Sequence, residues 1–359
     1  MVESTLTERV LIKRFLDALR ELPDVSVDVG AQEATSAVPW RADVEIHLSV
    51  AGRPVVLLVE AKKTAYPRDV RQMLWQFKAS SKAYPLDVQH LLVAESISPG
   101  AKELLRSERV GYYDSGGSLF LPASGAYVYI DRPPPKSLEK SVRSVFSGRR
   151  AQVLHALLTH PLDWFGVTEV AHRAHVAAST ASDVLGELER FEWLESRGQG
   201  PGKERHLRAP GALLDAWSQQ LAGFAPPTLR RWYVPSLKSD ALLQRLGEIL
   251  DLHRVDYAVS HEAAAQRYAP FLSGISQVRT RLLPGASADA ALAELDARVV
   301  NEGANLAVIE TKSAGELLFR QQVGGVWLAS PVQVYLDLLR AEGRAKEMAA
   351  HLRRERIGF

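Results

Sequence analysis

The sequence predicts a multidomain protein that combines α/β and α+β regions, and three observations support this fold class. The chain has 359 residues, which at about 150 residues per domain is enough for two or three domains. Proline-rich breaks at 131–135 and 224–227 separate regions of different pattern. Helical and strand patterns alternate before the first break, and helices followed by a hairpin come after it. We therefore expect domains at 1–132, 136–222 and 228–359.

Composition narrows the classes of function. The chain contains no cysteine, which excludes disulfides, zinc fingers, thiol catalysis and iron–sulfur ligation. Its 44 basic and 42 acidic side chains give a net charge of +2, so contact with nucleic acid would need local basic clusters. The N-terminus lacks the apolar core of a signal peptide, and no run of about 18 apolar residues occurs. We therefore expect a cytoplasmic location and no membrane partner.

In the first region, the sequence pattern predicts helices and strands in an order that is typical of α/β domains. Apolar residues recur at helical spacing from Thr7 to Leu22, with Thr7 as the expected cap. Residues 43–50 alternate strictly between apolar and polar, as a half-buried strand does, and Val55 to Val59 form the apolar run of a central strand. The later elements are expected as a helix at 68–83, a strand at 88–94, a helix at 100–106 and short strands over 111–130.

The turn at 51–54 predicts that the two strands pair as a hairpin. If the turn centres between Gly52 and Arg53, Asp43 lies opposite Lys62. Glu60 and Lys62 share one face of their strand because side chains alternate with a period of two. Directly opposed Cβ atoms lie about 5 Å apart. Two carboxylates and one ammonium group are therefore expected to converge on a small volume.

This combination of groups suits hydrolysis of phosphodiesters. The carboxylates of Asp43 and Glu60, with the carbonyl of Ala61 as a third ligand, offer the oxygen donors that Mg²⁺ prefers. The metal activates water and neutralises charge on the phosphate, while Lys62 can position the water or stabilise the developing charge. The alternative is a simple ion pair between Glu60 and Lys62 at the end of a strand.

On these residues the first region resembles the PD-(D/E)xK nuclease superfamily, whose pattern is an Asp followed on the next strand by Glu-x-Lys. The resemblance implies a restriction-endonuclease-like α/β domain over residues 1–132. It also implies that an acidic residue of the first helix joins the site, which would be Glu8, and that Gln72 or Gln76 supports it. Ala42 stands where the family often has proline.

Residues 149–207 resemble a winged helix–turn–helix domain. Helices are expected at 149–158, 167–175 and 179–191, and the last of them would be the recognition helix. Ser179 is its expected N-cap. Thr180 and Ser182 would be exposed near its start, where such helices contact base edges or phosphates.

A hairpin after the third helix would form the wing. It carries Arg197, Lys203 and Arg205 around a glycine-rich turn, and these cations would contact backbone phosphates. The expected partner is double-stranded DNA, and the alternative is a winged helix that contacts proteins.

The third region resembles the C-terminal part of abortive-infection (type IV) antitoxins and related regulators, on the segments 257–264 and 325–339. The resemblance implies a nucleotidyltransferase-like α/β domain and a cognate toxin as partner. Ser260 is followed by His261 and no Asp-x-Asp occurs, so this domain is expected to be non-catalytic. Glu310-Thr311-Lys312 is interpreted as an ion pair at the end of a strand.

Two functions follow as the main hypotheses. The first is a DNA-binding transcriptional regulator of antitoxin type, in which the nuclease-like domain is a scaffold or an additional DNA clamp. The second is a Mg²⁺-dependent DNA endonuclease targeted by the winged helix. A protein-interaction module without a DNA role is a third reading.

Overall fold

A computed structural model describes residues 2–27, 42–80, 88–123, 126–133, 144–159, 164–235 and 238–359. The chain divides into two compact units. Unit 1 comprises residues 1–144 together with 187–192, and unit 2 comprises 145–186 and 193–359. Unit 2 thus contains most of the second expected region and all of the third. No helix in the described part of the chain is long and apolar enough to span a membrane.

Unit 1 is built around a seven-stranded mixed sheet whose strands lie in chain order. Its strands are β1 (Val25–Val27), β2 (Val44–Val50), β3 (Arg53–Ala65), β4 (Val88–Ile97), β5 (Gly111–Asp114), β6 (Leu119–Ala123) and β7 (Ala126–Ile130). The pairs β3–β4 and β4–β5 are parallel, and the other neighbours are antiparallel.

Three helices cover this sheet, namely α1 (Val2–Arg20), α2 (Pro67–Ser80) and α3 (Pro99–Ser107). On one face, Phe15 of α1 is buried in a core with Ile46 and Leu57. On the other face, Met73 of α2 is buried in a second core with residues of β4 and α3. Helix α1 begins at Val2, so Thr7 lies inside it and does not cap it.

The β2–β3 hairpin has a shorter turn than the sequence predicted. Val50 pairs with Arg53 and Val44 with Val59, so the turn centres between Ala51 and Gly52. Both turn residues have positive φ, 50° for Ala51 and 77° for Gly52, as in the type I′ turns that match strand twist. The pairing shifts by two positions, which leaves every side chain on the face that was predicted for it.

In unit 2, the winged helix region begins with α4 (Gly148–Thr159) and α5 (Val167–Arg173). It continues with α6 (Ala178–Arg190), β8 (Leu194–Arg197) and β9 (Glu204–Leu207), the last residues of α6 belonging to unit 1. Phe165 adds a bridge to Arg205, which extends the hairpin. Val184 and Leu185 of α6 are fully buried.

The remainder of unit 2 is a second seven-stranded mixed sheet with helices. Its strands are β10 (Leu229–Tyr233), β11 (Tyr257–Ser260), β12 (Val278–Leu282), β13 (Arg298–Val299), β14 (Leu306–Glu310), β15 (Gln321–Val323) and β16 (Val326–Leu328). Their order in the sheet is β13-β10-β14-β12-β11-β16-β15. The helices of unit 2 beyond the wing are α7 (Pro210–Gln220), α8 (Ser239–Leu252), α9 (His261–Tyr268), α10 (Ala286–Glu294), α11 (Pro331–Leu338) and α12 (Ala345–Leu352).

Candidate functional site

A polar cavity of about 320 Å³ lies on the face of the unit 1 sheet that α2 covers. It contains most of the side chains that the sequence pointed to as a catalytic site. The lining residues are Asp43, Glu60, Lys62, Thr64, Asp69, Gln72, Met73, Gln76 and Arg190.

Strand pairing explains why these side chains meet. With Val44 opposite Val59, Asp43 comes opposite Glu60 rather than Lys62. Glu60 and Lys62 point to the same side because they are two residues apart on β3. The alternation that buries Val59 against α1 turns Glu60 towards α2.

Two polar contacts define the geometry at the strand ends. The amide of Ala61 donates a hydrogen bond of 2.8 Å to Oδ2 of Asp43. Nζ of Lys62 lies 2.7 Å from Oε1 of Glu60, and these side chains are 35% and 13% exposed. The ion pair that the sequence offered as an alternative is therefore present, and it lies inside the cavity. The role of the Ala61 carbonyl as a metal ligand stays a prediction.

Helix α2 contributes a second polar wall. Asp69, Gln72 and Gln76 lie on one face of the helix because they are three or four residues apart. Oδ2 of Asp69 accepts a hydrogen bond of 3.1 Å from the amide of Tyr66, which ties the start of the helix to the end of β3. Both glutamines of the sequence-based hypothesis thus line the cavity.

Glu8 is not among the side chains that line the cavity. It lies on α1, whose apolar side packs on the opposite face of the sheet. That an acid of the first helix joins the site stays a prediction.

Arg190 is a lining residue that the sequence did not indicate. It ends helix α6 and belongs to unit 1 with the neighbouring residues 187–192. Its guanidinium group lies over the ring of Tyr66, 4.6 Å from the ring centroid. Nearby, Glu189 forms an ion pair of 3.1 Å with Arg68. Local sequence patterns carry no signal for such a contact, because it joins segments more than a hundred residues apart.

The donor chemistry of the cavity fits a hard divalent cation. Asp43 and Glu60 supply carboxylate oxygens, which Mg²⁺ prefers. Within the described residues no group of three acidic, histidine or cysteine side chains forms a metal-binding cluster, so a cation here would rest on two carboxylates, main-chain oxygen and water. When bound, such an ion would activate water and neutralise phosphate charge.

In the winged helix region the exposed start of α6 is the second candidate site. Ser182 is exposed, as the sequence predicted, and so is Ser179, whereas Thr180, which was also expected to be exposed, is half-buried. Helix α6 begins at Ala178, so Ser179 is its second residue and not its N-cap. The turn before the helix contains His175 with a φ of 50°, a conformation that helps to set the angle between α5 and α6.

The wing differs from its prediction in one residue. Arg197 is exposed, pairs with Glu204 at 2.7 Å and lies over the ring of Trp164 at 4.1 Å. Lys203 is half-buried. Arg205 is only 7% exposed, because its strand pairs with Phe165 on the inner side of the hairpin. Arg205 is therefore a poor candidate for phosphate contact, which leaves Arg197 and Lys203.

In the third region, the ion pair that was expected between Glu310 and Lys312 is not formed. Glu310 pairs with Arg230 at 2.5 Å and not with Lys312, because β10 and β14 are neighbours in the sheet. Ser260 donates a hydrogen bond to the buried carboxylate of Asp337. These side chains hold the C-terminal part of unit 2 together.

Comparisons with known proteins support the winged helix reading. Residues 148–198 match the model of the IclR helix-turn-helix domain. Among solved structures, the chain is similar to a repair endonuclease from Pyrococcus abyssi, with 22% identity over 30% of this chain and a TM-score of 0.22. The similarity spans 45% of that endonuclease, less than half of its length. A comparison with curated proteins finds no match.

Proposed function

We propose that this protein binds double-stranded DNA through its winged helix and acts as a transcriptional regulator. The observation that carries the proposal is the polar, exposed start of α6 within a helix–turn–helix that matches the IclR domain model. The start of a recognition helix is the part that enters the major groove. Arg197 and Lys203 on the wing would contact the flanking phosphates.

Ser179→Glu tests this proposal. An acid near a helix N-terminus stabilises the helix, so the variant should fold, but its charge would face DNA phosphates. Like charges brought together cost several kcal/mol, and we expect duplex affinity to fall about tenfold or more. Fluorescence anisotropy with a labelled duplex measures the effect.

Ser287→Glu is the matched control. Ser287 is also exposed and is the second residue of its helix, α10, so the substitution adds the same charge in the same helical position. It should leave duplex affinity unchanged. Equal affinity for Ser179→Glu and the wild type would contradict the proposal.

The finer assignment is a regulator of antitoxin type with a cognate toxin and a nucleotidyltransferase-like C-terminal domain. It is supported by the resemblance of segments 257–264 and 325–339 in the sequence. A reporter gene placed behind the region that precedes the protein's own coding sequence tests it. We expect expression to fall when the protein is present and to recover with Ser179→Glu. Unchanged expression with the wild-type protein would count against this assignment.

A Mg²⁺-dependent endonuclease is the second candidate function. The specific observation in its favour is the placement of Asp43, Glu60, Lys62 and Gln72 around one polar cavity. The two carboxylates would hold the metal. Lys62 would hold the attacking water or stabilise charge on the phosphate.

A plasmid nicking assay with and without Mg²⁺ tests the second candidate. Removing a group that stabilises the transition state commonly lowers the rate about a hundredfold or more, and we expect this for both Lys62→Ala and Glu60→Gln. Lys63→Ala is the control, since Lys63 is the next residue on the same strand and is exposed outside the cavity. Absence of Mg²⁺-dependent nicking by the wild-type protein would leave the domain as a scaffold.

A further inference from the structure

Unit 2 contains a cavity of about 880 Å³ that neither candidate function uses. Its walls come from the start of α4, the segment 221–230, the segment 309–316 and α11. All of these belong to the same compact unit. The volume falls within the range of about 300–1,000 Å³ that is usual for small-molecule sites.

One wall of the cavity is apolar and rich in rings. Phe146, Trp217 and Phe224 line it together with Pro226 and Pro227. The rings of Phe146 and Trp217 lie 6.2 Å apart. A surface of this kind favours a flat apolar group, because aromatic rings bury a large area and pack best at such distances.

The carboxylates of the cavity are already engaged by neighbouring donors. Asp337 receives hydrogen bonds of 2.6 and 3.1 Å from Arg281 and one of 2.9 Å from Gln333. Burial raises the pKa of Asp337, but the charges of Arg281 and His261 and the hydrogen bonds from Arg281 and Ser260 together outweigh burial and hold the pKa at about 2. Glu310 is paired with Arg230 at 2.5 Å. These acids therefore present little uncompensated negative charge.

Glu316, the remaining acid, accepts a hydrogen bond of 2.9 Å from the amide of Lys312 and lies 3.7 Å from Arg281. It sits at the same end of the cavity as the Arg281–Asp337 pair. The negative charge of Glu316 is therefore partly balanced by Arg281, which also pairs with Asp337.

Three cationic side chains of the cavity have no acidic partner among the described residues. In the part of the chain that the structure describes, Arg149 and Lys312 form no side-chain ion pair. Arg340 donates to the main-chain carbonyls of Leu221, Phe224 and Ala225, which are neutral partners. The cavity therefore combines a ring-lined apolar wall with surplus positive charge.

We propose that this cavity is a binding site for a small organic anion with a flat aromatic body. The rings would hold the body of the ligand, and Arg149, Lys312 and Arg340 would face its carboxylate, sulfonate or phosphate group. This proposal requires neither DNA binding nor nuclease activity, because it is argued only from the residues that line the cavity.

A pair of fluorescent probes with the same aromatic body tests the proposal. The anionic probe is 8-anilinonaphthalene-1-sulfonate, and the neutral one is N-phenyl-1-naphthylamine, which lacks the sulfonate. We expect the full-length protein to bind the anion at one site, at least tenfold more tightly than the neutral compound. Titration calorimetry supplies the stoichiometry, and fluorescence supplies the affinity.

The double variant Arg149→Met/Lys312→Met removes two of the surplus charges and keeps the length of the side chains. Both residues are exposed and outside ion pairs among the described residues, so the substitutions break no ion pair. We expect affinity for the anion to fall tenfold or more, and affinity for the neutral probe to stay unchanged. The control Lys238→Met/Lys346→Met removes the same charge outside this cavity and should bind like the wild type.

Equal affinity for the two probes would overturn the proposal. So would a double variant that binds the anion as tightly as the wild type while its circular dichroism is unaltered. Should the double variant fail to fold, the single substitution Lys312→Met decides the question by the same comparison. Equal weakening in the control variant would place the bound anion elsewhere and would also overturn the proposal.

Discussion

His155 of α4 is buried between aromatic rings and a hydroxyl group in unit 2. Its ring lies 4.7 Å from Phe319 and 5.9 Å from Trp217, and its Nε2 shares a hydrogen bond with Ser330. Burial lowers the pKa of His155 to about 3. The imidazole is therefore neutral in the folded protein at pH 7, and protonation favours the unfolded chain.

This arrangement predicts a specific loss of stability in acid. The pKa rises from about 3 to 6.5 on unfolding, so the unfolded chain binds the extra proton between these values. The contribution of His155 to stability is full above pH 6.5 and falls by about 1.4 kcal/mol per pH unit between pH 6.5 and about 3. His155→Gln cannot titrate, and we expect a flatter pH dependence in urea unfolding from pH 7 to 4.5. His175→Gln, at an exposed histidine, is the control, and parallel curves for wild type and His155→Gln would contradict the prediction.

At the scale of elements, the β2–β3 hairpin depends on its two-residue turn. Ala51 and Gly52 both have positive φ, a conformation that residues other than glycine, asparagine and aspartate seldom adopt. This turn sets the pairing of β2 with β3 and so places Asp43 beside Glu60. The conformation of two exposed residues therefore decides the geometry of the cavity.

Substitutions in this turn should change stability in opposite directions. A Cβ added at Gly52 would have no atom within 4 Å. The loss of stability in Gly52→Ala is therefore conformational, about 1–2 kcal/mol. Ala51→Asn should stabilise, because Asn-Gly is the preferred type I′ pair. Gly186→Ala, in α6 and also free of close contacts, is the control and should stabilise by about 1 kcal/mol. Chemical denaturation measures all three, and a Gly52→Ala protein as stable as the wild type would be inconsistent with this turn.

At the scale of the whole molecule, charge is nearly balanced, with 44 basic against 42 acidic side chains. Non-specific attraction to DNA is therefore weak, and binding depends on the few cations that the winged helix presents. Of the three wing residues expected to contact phosphates, the structure leaves Arg197 exposed and Lys203 half-buried. The interface should thus neutralise only a small number of phosphates.

The salt dependence of DNA binding tests this estimate. Each neutralised phosphate contributes about −0.9 to the slope of log affinity against log salt. We expect Arg197→Ala to make the slope shallower by about that amount. Arg298→Ala, an exposed arginine on β13, removes the same charge and should leave the slope unchanged. Identical slopes for Arg197→Ala and the wild type would exclude Arg197 from phosphate contact.

The sequence by itself determined which side chains share a face. Alternation over residues 43–50 and the spacing of Glu60 and Lys62 depend only on neighbours along the strand. A hairpin slipped by two positions keeps the same sides, so the convergence of Asp43, Glu60 and Lys62 could be predicted although the pairing itself differed.

Only the tertiary structure decided burial and partners between distant segments. It placed Arg205 against Phe165, joined Glu310 to Arg230 and brought Arg190 to the cavity of unit 1. It also created the ring-lined cavity of unit 2. Local periodicity reports the direction of a side chain within its own strand or helix. The neighbours of that side chain in other elements depend on how sheets and helices pack on one another. That packing is set by segments far apart in the chain.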